Sequence, residues 1–336
     1  MRITRYIINR LLFIVPQLFG IILVSFFLLK MIPGDPAILM LGPFATDQAI
    51  AEVRTNLGLD KSLFVQFGYY VGNVVQGDLG RSWQTTRPVL EDLLTRFPAT
   101  IELISFAMLT ALTIGIPLGV AGARFKKGLL RKITDYYGLL AGALPDFWLG
   151  LVFIFIFFTV LKLVPAPLGR LDISIITPPT VTGMYTIDSI IALDWEAIKS
   201  AAGHLLLPVL TLGLINAGPI IKMTQSTTER MLESDFTNYA EMCGLPKKVV
   251  VRQALVNALP PVITMVSVLY GFLIGGAVLV EIVFSWGGAG QYAVQGVLNA
   301  DINPVLGFVL FAAVFSLVIY LIVDLVCFAI DPRTRD

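Results

Sequence analysis

Long apolar runs recur along this chain, each closed off by polar residues. A membrane-spanning helix needs about twenty largely apolar residues. Runs at Ile8–Ile32, Ala99–Ala123, Asp135–Leu163, Leu205–Ile221, Val262–Phe284 and Val305–Ile330 therefore predict six spans. The third holds Pro145 near its middle and is expected to kink there. The fourth is short and carries Pro208, Asn216 and Pro219. The first is too long for a secretory leader and lacks a small-residue cleavage site, so it reads as a retained span. Because the runs are continuous and not alternating, the fold class is an all-α membrane protein and not a transmembrane barrel.

The polar stretches orient these spans. Arg2, Arg5 and Arg10 precede the first; Arg124, Lys126, Lys127, Arg131 and Lys132 crowd the link between the second and third. Lys222, Arg230, Lys247, Lys248 and Arg252 lie between the fourth and fifth, and Arg333 and Arg335 follow the last, whereas Ser285–Pro304 has no Lys or Arg. Basic residues favour the cytosolic side of short loops, so both termini are expected there. Three regions follow: residues 1–32 (tail and first span), 33–98 (an extracytoplasmic insertion) and 99–336 (a five-span core). Within the insertion, Asp47–Leu57 and Ser62–Gln76 predict amphipathic helices, with Thr46 as N-cap of the first. The other outer segment, Val164–Gly203, predicts a helix at Asp194–Ala202. Either segment suits a lid, a docking surface or a brace for the spans.

One polar island breaks the rhythm. Asp235–Pro261 reads as two short helices separated by Gly244-Leu245-Pro246. Glycine suits the left-handed position past a helix end, and proline suits the first turn of the next helix. Lys247 and Lys248 then fall where the helix dipole disfavours cations, which a partner surface or anionic headgroups would offset. Ordinary solvated lysines on a positive-inside loop are the plainer account.

Composition narrows the chemistry. The 336 residues are 56% hydrophobic and 14% charged, with a net charge of +1 and one histidine. A single His204 excludes zinc sites built on two imidazoles. Cys243 and Cys327 imply no disulfide framework. No phosphate-binding GxxxxGK[ST] loop occurs, so this chain is not expected to hydrolyse ATP. No nucleophile and base, and no paired acids, converge by spacing, so no catalytic residue, metal site or bound cofactor is expected. Asp146 lies about 20 Å into a helix beginning near Ile133. A carboxylate at that depth is costly and faces a bundle interior or a water-filled path. It suits the cationic end of a passing solute, a cap for backbone freed by the proline, or a pair with a neighbouring subunit. Asn216 is a second candidate for the path, against a hydrogen bond between helices. Glu281 and Asp324 read as helix-end anchors, and His204 as an interfacial hydrogen-bonding residue.

The stretches MIPGDPA (Met31–Ala37), LGLDKSL (Leu57–Leu63), GDLGRSW (Gly77–Trp83), RFPATIEL (Arg96–Leu103), HLLLPVLTLG (His204–Gly213), NALPPVIT (Asn257–Thr264), EIVFSW (Glu281–Trp286) and DPRTR (Asp331–Arg335) occur in order. Together they resemble the B-type permease subunit of dipeptide/oligopeptide/nickel ABC importers, over essentially the whole chain. The resemblance implies a type I ABC-importer transmembrane domain in a bacterial or archaeal cytoplasmic (inner) membrane. It also implies a second homologous permease, two cytosolic ATPase subunits that carry ATP and Mg, and an extracytoplasmic solute-binding protein. The polar island then corresponds to the coupling loop, residues 225–261, with Ala240, Glu241, Gly244, Leu245 and Pro246 meeting the ATPase and Asn257, Ala258 and Pro261 closing the pattern. Where relatives carry Arg-Ala-Lys-Gly, this chain has Glu241-Met242-Cys243-Gly244, which implies an altered charge on the ATPase socket. Ser285–Tyr292 (SWGGAGQY) departs from Ser-Trp-Pro-Gly-Leu-Gly. Relatives carry dipeptides, longer peptides, glutathione, nickel chelates, opines or sugars, and peptide is the expected solute. A secondary transporter driven by an ion gradient is the rival reading. It would bring inverted repeats and several mid-membrane charges, of which only Asp146 is evident.

Overall fold

A computed structural model describes residues 2–31, 45–56, 60–125 and 127–330. Ile32–Ala37, Leu57–Leu59 and Asp331–Arg335, on which parts of the resemblance rest, lie outside the described residues. The elements, in order, are α1 (Arg2–Met31), α2 (Asp47–Asn56), α3 (Leu63–Val75), α4 (Val89–Arg124), α5 (Leu129–Ala143), α6 (Asp146–Phe153, continued by a π-helical turn Ile154–Val160), α7 (Tyr185–Ile191), α8 (Trp195–Leu232), α9 (Asp235–Met242), α10 (Lys247–Val283), α11 (Ala289–Leu298) and α12 (Ile302–Ile330). Helices Val89–Arg124, Trp195–Leu232, Lys247–Val283 and Ile302–Phe328 are long and apolar enough to cross a membrane; α5 with α6 makes a fifth if that bent pair is one span. The first predicted span is a 30-residue helix whose described apolar stretch is Leu12–Leu28.

The third span departs from a simple kink. Its two helices meet at 104°. Proline disfavours helical geometry in the residue before it, and Leu144 is extended at φ −92°, ψ 130°, with Pro145 at φ −67°, ψ 137°. The fourth span runs longer than its apolar core. Predicted helix Asp194–Ala202 and predicted span Leu205–Ile221 are one 38-residue helix, opened by Asp194, whose Oδ1 accepts from Ala197 N at 3.1 Å. Likewise the second half of the polar island is no short helix but the start of the 37-residue α10.

By contacts the chain forms two compact units, Met1–Thr95 with Tyr292–Phe315, and Arg96–Gln291 with Ser316–Asp336. In the first, Phe26 of α1 meets Phe67 and Tyr70 of α3 at ring-centroid distances of 5.3 and 5.8 Å. Thr46 caps α2 as expected, its hydroxyl accepting from Ala49 N at 3.3 Å. Buried Asp301 holds the turn before α4, accepting from Ser82 Oγ at 2.6 Å and Trp83 N at 2.7 Å. Asp92 accepts from Thr85 Oγ1 at 2.5 Å and Tyr292 OH at 2.9 Å. Burial, together with the neighbouring Asp92 carboxylate, pushes the Tyr292 hydroxyl up to about 12.

In the second unit α8 is central. Glycines let its neighbours approach to backbone contact, as small residues do between membrane helices. A Cβ on Gly119 of α4 would lie 2.8 Å from the Ile221 carbonyl oxygen, and one on Gly218 would lie 2.6 Å from Ala141 Cβ of α5. Ion pairs fasten α5 to α8, Lys222 Nζ to Asp135 Oδ1 at 2.8 Å and Arg131 to Glu229, and Arg131 also pairs with Asp135 along α5 at 3.0 Å. The segment before α8 is braced. Arg170 meets Glu102 at 2.6 Å, donates to Gly183 O at 3.0 Å and lies 3.8 Å over the Tyr185 ring. Glu102 also accepts from Thr186 N at 2.7 Å.

The SWGGAGQY turn folds onto Glu281. That fully buried carboxylate accepts from Thr100 Oγ1 at 2.5 Å and Gln291 N at 2.8 Å, while Trp286 Nε1 donates to Ala99 O at 2.9 Å. A Cβ on Gly288 would sit 2.2 Å from Glu281 Oε1, so a second glycine fits here. Glu281 is therefore the helix-end anchor the sequence suggested. His204 is buried, with Nδ1 2.9 Å from Ser200 O and Nε2 3.8 Å from Asp172 Oδ1.

Candidate functional site

The corner between α8 and α10 is built from local rules. Ser234 and Thr237 both donate their hydroxyls to Met231 O at 2.6 Å, fixing α9 to the end of α8. Helix α9 then stops in a Schellman turn: Leu245 N donates to Ala240 O at 3.2 Å and Gly244 N to Glu241 O at 2.9 Å. The turn requires a left-handed residue, and Gly244 supplies it at φ +77°. Pro246, at φ −56°, ψ 137°, is the N-cap of α10, one position before the first-turn place expected for it.

This geometry opens an apolar groove of about 260 Å³ between α9 and the start of α10. Ala240 and Leu245, both expected at the corner, line it together with Phe236, Thr237, Val249, Val250, Gln253 and Asn257. Gly244 and Pro246 shape the turn without lining the groove. Glu241 is exposed beside it. Around the groove Met242 is 86% and Tyr239 71% exposed, so large apolar side chains cluster on an ordered corner. Phe236, Val249 and Gln253 were not singled out in the sequence. The four-residue spacing of Val249, Gln253 and Asn257, one stripe along α10, was the signal for Val249 and Gln253. Lys247 and Lys248 do occupy the first turn of α10, exposed.

The two residues expected on a path are not joined by any contact among the described residues. Asn216 is turned onto its own helix, Nδ2 donating to Leu212 O at 2.8 Å. Asp146 is the first residue of α6, half-buried, and faces Gly276 of α10, where a Cβ would lie 3.2 Å from Oδ2. Among the described residues no group of three His, Cys, Asp or Glu is placed to hold a metal ion.

Four helices long and apolar enough to cross a membrane, with an ordered corner between two of them, define a helical membrane protein. The chain belongs to the family of inner membrane components of binding-protein-dependent transport systems, the membrane subunits of ABC importers, whose model matches residues 115–336. The N-terminal model of the same membrane components matches residues 3–104. It is 39% identical to the probable D,D-dipeptide transport system permease protein DdpB of Escherichia coli (strain K12), over 94% of this chain and 92% of that protein. Identity is 37% to the dipeptide permease DppB of Alkalihalophilus pseudofirmus, over 98% and 99% of the two chains. The glutathione transport system permease GsiC of Escherichia coli O6:H1 is 34% identical, over 98% of each. These relatives are non-catalytic membrane subunits, and this chain is read as one.

Proposed function

We propose that this chain is one permease of an ATP-driven importer that moves a small peptide, delivered by an extracytoplasmic binding protein, into a bacterial or archaeal cell. A second homologous permease completes the path, and two cytosolic subunits bind ATP and Mg and hydrolyse the nucleotide. Both termini lie in the cytosol. The exposed groove at the α9–α10 corner carries this reading, because exposed apolar surface on an ordered element marks a protein interface. An ATPase element seated there would cover Tyr239, Met242 and Leu245, with Ala240, Glu241, Gly244 and Pro246 setting the shape and charge of the contact. Lys247 and Lys248 call for an acidic rim on that partner. Asp146 and Asn216 are candidates for the solute path. Peptide is the solute class favoured by relatives named for dipeptides; one named for glutathione, itself a peptide, keeps that solute within the class.

The test is uptake of dialanine into vesicles carrying the full complex. Uptake that requires ATP and survives an uncoupler is expected. Uptake that persists without the ATPase subunits and collapses with the uncoupler would establish a gradient-driven transporter instead.

A further inference from the structure

Asp146 is a carboxylate in an apolar helix pair that makes no hydrogen bond or ion pair among the described residues. Charged side chains of the flanking helices do not neutralise it. Arg131, Asp135, Lys222 and Glu229 are bonded to one another. Gly276 of α10 stands opposite, where a Cβ would lie 3.2 Å from Oδ2, so no side chain of that position reaches the carboxylate. The 104° break places the carboxylate at the bend, at the start of a helix whose dipole supports negative charge there. An ionisable group at membrane depth is retained where it meets a partner or a pathway.

We propose that Asp146 is a recognition point for a primary ammonium group, holding the free amino terminus of the passing peptide at the bend between α5 and α6. A hard metal ion is a poor fit, since such ions take six or more oxygen ligands and Asp146 stands alone. An ammonium needs only one carboxylate, and Asp146 offers one with no protein partner among the described residues. This assignment rests on the import reading above and adds the chemical feature of the solute that the permease itself reads.

The experiment compares dialanine with lactoyl-alanine, which carries a hydroxyl in place of the ammonium. ATP-dependent uptake of each is measured in proteoliposomes with the full complex, at concentrations where the binding protein is loaded. Wild type is expected to favour dialanine about tenfold or more. Asp146→Asn is expected to bring that ratio towards one, and Asp146→Glu to retain it. A ratio unchanged in Asp146→Asn, or an equal loss of both solutes in that variant, overturns the assignment; the latter result means that Asp146 pairs with protein. If Asp146→Asn fails to assemble, Gly276→Ala provides the second readout. It leaves the charge but puts a methyl 3.2 Å from Oδ2, and is expected to lower dialanine uptake more than lactoyl-alanine uptake. Equal effects overturn the assignment. If wild type shows no ATP-dependent uptake at all, the import reading fails, and the failure is not that of Asp146.

Discussion

Glu102→Gln isolates what holds the segment before α8 in place. In the wild type one carboxylate oxygen accepts from the amide and hydroxyl of Thr186, and the other accepts from Arg170 at 2.6 Å. Side-chain exposure is 1% for Glu102 and 9% for Arg170, so neither finds water as a substitute. Glutamine is nearly isosteric, but whichever way its amide turns, an NH2 faces either Arg170 or Thr186, donor against donor. Arg170 is left with Gly183 O and the Tyr185 ring. Removing one partner of a buried ion pair costs about 3–5 kcal/mol, and about 1.4 kcal/mol is a factor of ten. Opening of the segment should then rise by roughly 10²-fold to several thousandfold. Amide hydrogen exchange at Thr186–Ser189, followed by mass spectrometry, reads that opening directly. Exchange rates within about threefold of wild type would refute the reasoning.

Two further variants probe the same unit. Burial pushes the Asp188 carboxyl up, but hydrogen bonds from the amide and hydroxyl of Thr182 and the amide of Gly183 outweigh it and hold the group below the usual carboxylate range. The stabilisation this gives is present above the unfolded pKa, near 4, and fades as pH falls through the lower folded value. Asp188→Asn should therefore speed exchange across Thr182–Ala192 at neutral pH, and its difference from wild type should shrink in acid; a constant difference would contradict the charge assignment. At the other end of the unit, a Cβ on Gly271 would lie 2.5 Å from the Tyr320 hydroxyl oxygen. Gly271→Ala should lower the melting temperature, consistent with overpacking of about 1–3 kcal/mol, and Tyr320→Phe should relieve most of that loss. Equal losses in both backgrounds would mean that the hydroxyl is not the obstacle.

Much of this architecture was legible in residue pattern. Hydrophobic periodicity marked α3, and Thr46 marked the start of α2. Gly244 was read correctly as a left-handed helix stop, because that rule is local. Lengths were less legible. Nothing in the sequence before Gly203 or before Val262 distinguishes a separate short helix from the extension of a span, and packing of α8 and α10 on their neighbours decides it. The Leu144-Pro145 break was visible as a kink, but its angle depends on both residues becoming extended. The groove needs α9 and α10 side by side. Its lining residues are 21 positions apart at the extremes, from Phe236 to Asn257, and only half of that set lies on α10. Asp146 stood out by chemistry alone; Gly276 opposite it comes from another helix and was not legible.

The claim that solute movement is driven through the α9–α10 corner rests on Gly244. No atom lies within 4 Å of a Cβ built there, so a side chain meets no clash, and its whole effect is the strain of φ +77°. For a β-branched residue that strain is on the order of 1–2 kcal/mol, enough to disfavour the Schellman turn and displace the groove. The most direct measurement is the number of dialanine molecules imported per ATP hydrolysed by the full complex carrying Gly244→Val. The account predicts that hydrolysis continues while import per ATP falls about tenfold or more. An unchanged ratio would contradict it.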